Sequence, residues 1–280
     1  MSIAADAPID LQLHTVFSDG AWEADALIDH LLQEGFAAAA ITDHDRVDII
    51  PMLQKIAAEK GFTLLPAVEM STHWRTEDEA VDVLCFGITQ TTSPLHTLAD
   101  DLLQRTQKNI RQTVAAIAQQ GYTLPADAVQ AILDEPCVRQ PHSLVKLVDN
   151  QGIVPEGQSI GRLLVEGGLK VLTNPIVDVV TAAHQSGAVC IIGHPGRGDG
   201  FVNFDAALLD ELREEVVIDG IEAHYPLHTP EQVEMFNAYA HKHDLFVSAG
   251  SDSHTPEKPP IKYRADTSRK LLEHLGHPVA

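Results

Sequence analysis

Short apolar runs recur along the chain, and most are followed by a turn and then by apolar residues at helical spacing. Residues 9–13 predict a strand, Ser18-Asp19-Gly20 a turn, and residues 24–34 a helix stopped by Gly35. Residues 37–42 and 63–68 predict the second and third strands, separated by a helix over 49–60 that Gly61 ends. Residues 81–87 predict a further strand, entered through a hairpin or turn at 76–79. Strand and helix alternating at this interval predict βα units around a parallel sheet. The pattern then changes. Residues 95–120 predict one long helix, 126–133, 141–150 and 160–166 predict shorter ones, and no strand is expected between about 93 and 168. Alternation resumes with helices at 177–186, 204–214 and 231–243 and strands at 188–192, 220–223 and 245–249. The expected architecture is an α/β barrel or open parallel sheet built from residues 1–92 and 169–280, with a helical insertion at 93–168.

In such folds the reactive groups gather at the carboxyl ends of the strands. Five segments here place His, Asp or Glu at such ends: residues 9–20, 41–45, 68–70, 191–196 and 248–254. Gln12 and His14 share a face by their i, i+2 spacing, as do Asp252 and His254. Asp19 lies in a turn, and His44 and His194 follow apolar strands. Glu69 ends the third strand and is placed to bridge two cations. Taken singly, each residue reads as a cap, a turn or a structural imidazole. Taken together at five strand ends, they read as oxygen and nitrogen ligands of a polynuclear metal site, suited to manganese, zinc or iron.

Arg197 is the candidate phosphate clamp, because a guanidinium binds phosphate oxygens in pairs; a surface ion pair is the alternative. His228 is a candidate for contacting substrate or protonating the leaving oxygen, as Asp19 is for assisting it. His224 reads as structural, and Arg139, Arg162 and Lys170 are candidate contacts to a second phosphate. Asp10, Asp43 and Asp45 read as carboxylates orienting ligating imidazoles. Trp22 and Trp74 read as packing residues rather than as base-stacking platforms.

Charge limits the partners. Nineteen Lys and Arg against 40 Asp and Glu give a net charge of −21. That surface repels long nucleic acids, while a small phosphorylated substrate remains compatible if bound cations reverse the sign locally. No apolar run approaches bilayer-spanning length and no signal peptide is evident, so a cytoplasmic location without membrane contact is expected. Three cysteines without CxxC spacing argue against a disulfide framework or a zinc ribbon; Cys85 and Cys190 read as small buried hydrophobes. Of the 15 histidines, His241, His243, His274 and His277 read as surface residues. The oligomeric state is left open.

The ordered motifs DxxxHTxxSDG (10–20), TDHD (42–45), Glu69 after the third strand, GHPGR (193–197) and GSDSH (250–254) resemble the polymerase and histidinol phosphatase (PHP) family over most of the chain. The resemblance implies a distorted (β/α)7 TIM-like barrel whose two or three divalent cations hydrolyse phosphoesters through metal-activated water. It implies one cation at His14, Glu69 and Asp252 with position 12, a second at Glu69, Asp82 and His142, and a third at Asp19, His44, His194 and His254. His142, at a helix start, also reads as a non-ligating imidazole. Two positions depart from the family pattern: Gln12 stands where an HxH motif usually begins, and Asp82 where members carry His. Both exchange nitrogen for oxygen, which favours manganese first, with magnesium, iron or zinc as alternatives. The helical insert resembles that of enzymes acting on nucleoside 3′,5′-bisphosphates and short 5′-phosphorylated oligonucleotides. L-histidinol-phosphate hydrolysis and a non-catalytic metal-binding role remain open at this stage.

Overall fold

A computed structural model of the chain describes residues 2–90, 92–137, 139–155 and 157–280. They form two compact units, one of Met1–Ala99 with Thr173–Ala280, the other of Asp100–Leu172.

The first unit begins with β1 (Pro8–Leu13), α1 (Ala24–Gln33), β2 (Ala38–Ile41), α2 (Ile50–Lys60), β3 (Leu64–His73) and β4 (Ala80–Phe86). The helices of the middle segment follow: α3 (Pro94–Gln119), α4 (Ala126–Asp134), α5 (Gln140–Gln151) and α6 (Ile160–Glu166). The chain then adds β5 (Asn174–Pro175), α7 (Ile176–Gln185), β6 (Val189–Ile192), α8 (Ala206–Glu215), β7 (Gly220–His224), α9 (Pro230–Lys242), β8 (Phe246–Ala249), β9 (Tyr263–Arg264) and α10 (Arg269–His274). Of these, β5, β9 and α10 carry no clear periodicity; two are two-residue strands, and α10 is short.

The strands run β8-β7-β6-β4-β3-β2-β1-β9, with β5 alongside β3. Seven of them, β1 to β4 and β6 to β8, make a near-closed barrel-shaped sheet. The segment after β8 closes it against β1, with Asp252 N donating to Gln12 O and His14 N to Ser253 O, both at 3.0 Å. One strand corrects the expected parallel sheet: β4 pairs antiparallel with both β3 and β6. The turn at Thr76–Glu79 causes this, because a chain reversed by a short hairpin must return antiparallel. The reversal matters for the site: Asp82, near the start of β4, lies at the same end of the sheet as the carboxyl ends of its neighbours.

Period-two alternation sorts the β3 side chains. Leu65 and Ala67 share a face with Glu69, while Val68 and Met70 pack outward with α7 residues Val179 and Ala183. The other helices follow ordinary rules. Leu27, Ile28 and Leu31 bury the inner stripe of α1. Pro51 sits in the first turn of α2, and Gly61 ends it at φ 72°, a conformation that costs glycine nothing. A Thr229–Gln232 capping box starts α9. The second unit has its own core, drawn from Ile110, Ile117, Ile132, Leu144, Val148 and Leu164 among others.

Candidate metal centre

Glu69 is the middle of the site. It has no solvent exposure, and four side chains approach its two oxygens. Gln12 Nε2 donates to Oε1 at 3.0 Å, and His194 Nε2 lies 3.1 Å from the same atom. His14 Nε2 and His44 Nε2 lie 2.9 and 3.6 Å from Oε2. Around this carboxylate the chain forms three groups that could hold cations: His14, Glu69 and Asp252; His44, Glu69 and Asp82; and His14, Asp19, His44 and His254. Asp252 Oδ1 is 3.1 Å from His14 Nε2, and Asp19 Oδ1 is 3.3 Å from His254 Nε2. The rings of His44, His14 and His254 stack in a row, with centroids 4.7 and 4.2 Å apart.

Three of the loops that bring these groups together carry non-glycine residues in left-handed backbone: Asp45 (φ 54°), His194 (φ 30°) and Asp252 (φ 54°). Such residues cost on the order of 1–3 kcal/mol each and persist where surrounding contacts dictate them. The contacts are visible. Asp10 accepts from Ser251 N and Ile261 N, both at 2.9 Å, pulling the segment after β8 onto β1. Burial, offset by those hydrogen bonds, pushes Asp10 up to about 7. Asp43 accepts from Thr15 N at 2.8 Å, and from the Thr15 and Ser18 hydroxyls at 2.6 Å. Asp45 accepts from Ser71 N. Asp10 and Asp43 were expected to orient imidazoles; they instead hold the backbone of the ligand-bearing loops.

The electrostatics follow from burial and charge. Burial disfavours the charged form of His14, but the Asp252 and Glu69 carboxylates beside it outweigh this and hold its pKa well above the usual value. Burial likewise opposes charge on His194, yet Glu69, Asp82 and Asp252 raise it to about 9. Burial would raise Glu69, but the charge of His44 and the imidazoles of His14 and His194 hold it well below the carboxylate range. The donor set fits divalent cations. Four carboxylates and four imidazoles converge, yet His14 Nε2 and Glu69 Oε2 approach without the alignment of a hydrogen bond. Gln12 Oε1 is also buried without a hydrogen-bond partner.

The structure brings together Gln12, His14, Asp19, His44, Glu69, Asp82, His194, Asp252 and His254. The grouping differs from the expectation at three imidazoles: His194 lies against Glu69 and, at 3.7 Å, Asp82, rather than with Asp19 and His254; His44 also lies with Glu69 and Asp82; and His14 also joins Asp19, His44 and His254. All three cation groups draw their donors from the first unit. His142 lies in the second, exposed in the first turn of α5, as do Arg139, Lys170 and Arg162, which pairs with Glu166 at 2.7 Å.

Arg197 Nη1 reaches to 3.7 Å from Asp252 Oδ2, while its Nε bonds the exposed Asp199 at 2.9 Å and its guanidinium lies over Phe201. His228 is a correction. Its Nε2 accepts from Gly196 N and its Nδ1 donates to Ala223 O, both at 3.0 Å. With both nitrogens bonded to backbone, His228 braces the His194–Gly196 loop against β7 and has no free proton to give. His224 contacts Asn237 on α9. Trp22 donates to Ser253 Oγ and Trp74 to Glu215, so both pack as expected. His243 and His277 are half-buried rather than on the surface; His243 bonds Arg213 at 2.9 Å.

Two residues of the site escaped the sequence reading. Glu222 is fully buried on β7, and its Oε2 accepts from His194 N at 2.8 Å, which fixes the left-handed turn there. Burial holds its pKa well above the carboxylate range despite the charge of His194. An acidic residue inside an apolar strand was the available signal. Tyr225, at the end of β7, donates to Asp252 Oδ2 at 3.4 Å. Burial and the nearby Asp252 charge raise its pKa, so it keeps its proton.

Residues 10–152, just over half the chain, match the PHP domain, and the chain belongs to that family. It is 27% identical over 256 residues to a 3′,5′-nucleoside bisphosphate phosphatase of Chromobacterium violaceum, covering 89% of this chain and 88% of that protein. It is 28% identical to a 5′-3′ exoribonuclease of Haemophilus influenzae, over 88% of this chain and 90% of the relative. A phosphoribosyl 1,2-cyclic phosphate 1,2-diphosphodiesterase of Eggerthella lenta is 23% identical, over 88% and 93%. Two solved structures share the fold. One is a Bifidobacterium adolescentis protein assigned as a metal-dependent phosphoesterase (TM-score 0.73, 22% identity, 95% and 96% coverage). The other is an amidohydrolase of Chromobacterium violaceum (TM-score 0.74, 24% identity, 96% of each chain). Among the described residues, no helix is long and apolar enough to cross a membrane.

Proposed function

We propose that this chain is a metal-dependent phosphoesterase that hydrolyses small nucleotides, either nucleoside 3′,5′-bisphosphates or short 5′-phosphorylated oligonucleotides. The observation that carries the reading is the convergence of Asp19, Glu69, Asp82 and Asp252 with four imidazoles on one buried centre. The names of the relatives that span nearly the whole chain support the substrate class.

Glu69 would hold divalent cations together with His14 and Asp252, and with Asp82, His44 and His194. Asp19 and His254 complete a further group with His14 and His44. Two divalent cations would balance four carboxylates, and the oxygen-rich set with Gln12 and Asp82 favours manganese. Bound there, such cations supply Lewis acidity and lower the pKa of a coordinated water. The chain's own residues supply the remainder. Arg197, already within reach of Asp252, would exchange the exposed Asp199 for a phosphoryl oxygen and stabilise charge developing on it. Tyr225 holds Asp252 in place, and Glu222 and His228 fix the loop that carries His194.

A panel assay with manganese tests the reading, using 3′-phosphoadenosine 5′-phosphate, short 5′-phosphorylated oligonucleotides and L-histidinol phosphate. Turnover of either nucleotide class is expected. Turnover confined to histidinol phosphate would replace the substrate assignment, and no turnover of any by metal-loaded protein would sink the enzymatic one. In the same assay Arg197→Ala should raise KM roughly 10- to 100-fold, the loss of a charge-assisted phosphate contact, with Arg197→Lys intermediate. Unchanged KM in Arg197→Ala would remove the clamp role. Saturating manganese at about 100 times its Kd should raise the melting temperature of chelator-treated protein by roughly 5–10 °C. An unchanged melting curve would argue against a metal centre.

A further inference from the structure

A second cluster of ligating side chains lies away from this centre. Cys190 sits in β6, four residues before His194, which places it roughly 13 Å further down the strand. The residue points to the outer face of the sheet, where it packs with the α7 residues Val180 and Ala183 and with Cys85 of β4. Cys85 and Cys190 are register partners in the antiparallel β4–β6 ladder, and the Cys85 thiol donates to Val83 O at 3.9 Å. At the last turn of α7, His184 comes down beside Cys190, and Asp219 immediately precedes β7. His184 Nε2 lies 2.7 Å from Asp219 Oδ2, and that oxygen also accepts from Cys190 N at 2.7 Å. The candidate ligand atoms of His184, Cys190 and Asp219 all lie within 4.8 Å of one another.

We propose that this cluster is a separate binding site for a thiophilic divalent cation, zinc foremost, held by His184 Nε2, Cys190 Sγ and an Asp219 carboxylate oxygen. The donor types decide the metal. A thiolate–imidazole–carboxylate set selects zinc, whereas the carboxylate-rich catalytic cluster favours harder cations. Geometry decides access: both cysteines are fully buried, but the side chains of His184 and Asp219 are 34% and 26% exposed, which leaves an entry path. The Asp219 oxygen is already oriented by the Cys190 amide, the kind of outer hydrogen bond that fixes a ligand before metal arrives. On binding, the Cys190 thiol proton and the proton shared by His184 and Asp219 pass to solvent, and the cation takes their place. Because the donors come from α7, β6 and the residue before β7, the site would cross-link one side of the barrel and act on stability rather than on chemistry.

The test titrates the metal-free full chain with cobalt(II). Cobalt bound to thiolate absorbs in the near ultraviolet; cobalt bound only to carboxylates and imidazoles does not. The wild type and Glu69→Gln should both develop the thiolate band. Cys190→Ser should lack it, and His184→Ala, a change at a half-exposed helix end that the fold tolerates, should need at least about 10-fold more cobalt. Absence of the band in wild type at excess cobalt, an equal band in Cys190→Ser, or an unshifted titration in His184→Ala would each overturn the site. None of these readouts depends on phosphoesterase turnover, so they stand or fall separately from the proposed function.

Discussion

Replacing Glu69 with glutamine is expected to reduce manganese-dependent hydrolysis by about 10³-fold or more, the scale seen when a centrally placed electrostatic stabiliser is removed. The substitution keeps shape and removes one charge. In the wild type Oε1 meets Gln12 and His194, and Oε2 faces the imidazoles of His14 and His44. A glutamine amide has one acceptor oxygen and one donor nitrogen, so half of that circle would face a group of the wrong sign. The bridging position between two cation groups would be lost with it. The measurement is kcat/KM for bis-p-nitrophenyl phosphate together with bound manganese per chain. Glu59→Gln, which alters an exposed carboxylate paired with Lys55, serves as the control. Near-wild-type kcat/KM with full manganese in Glu69→Gln would remove Glu69 from the centre of the mechanism.

The second large effect is on stability. Gly250→Ala should destabilise the protein by roughly 1–3 kcal/mol, the cost of overpacking a filled interior. A Cβ at this position would lie 2.5 Å from both Gln12 Cβ and Glu222 Oε1, and 3.0 Å from Gln12 N. Neither strand can retreat easily, because β1 is tied to the following segment through Gln12 O and Asp10. The clash would also move Gln12 away from Glu69, so activity should fall even where the variant is folded. Gly198→Ala, whose Cβ would meet nothing within 4 Å, is the comparison. Equal denaturation midpoints for the two variants would show that the strands yield where the packing says they do not.

How much of this was legible can be judged residue by residue. Glu69, His194 and Asp252 stood out because each follows an apolar run, and strand ends in a βα fold must share one face. Asp82 could be named only by resemblance, since nothing in VDVLCF marks an antiparallel strand; the hairpin before it decides its direction. The grouping of His194 with Asp82 was illegible for a similar reason. It depends on the left-handed turn that Glu222 imposes, and Glu222 is 28 residues away. His228 misled because a histidine near a strand end has the right chemistry for proton transfer. Only the positions of Gly196 N and Ala223 O show that both its nitrogens are occupied.

By itself, then, the sequence determined the barrel class, the helical segment between its halves and the residue types of the candidate metal centre at the strand ends. Periodicity and capping are local, and a polar residue closing an apolar run is visible without a partner. Tertiary structure alone decided which ligand meets which, that Asp10 and Asp43 hold loops, and that Cys190, His184 and Asp219 form a second cluster on the outer face. Those outcomes rest on strand direction, register and contacts between distant segments. Each is a property of how elements pack, and no window along the chain contains it.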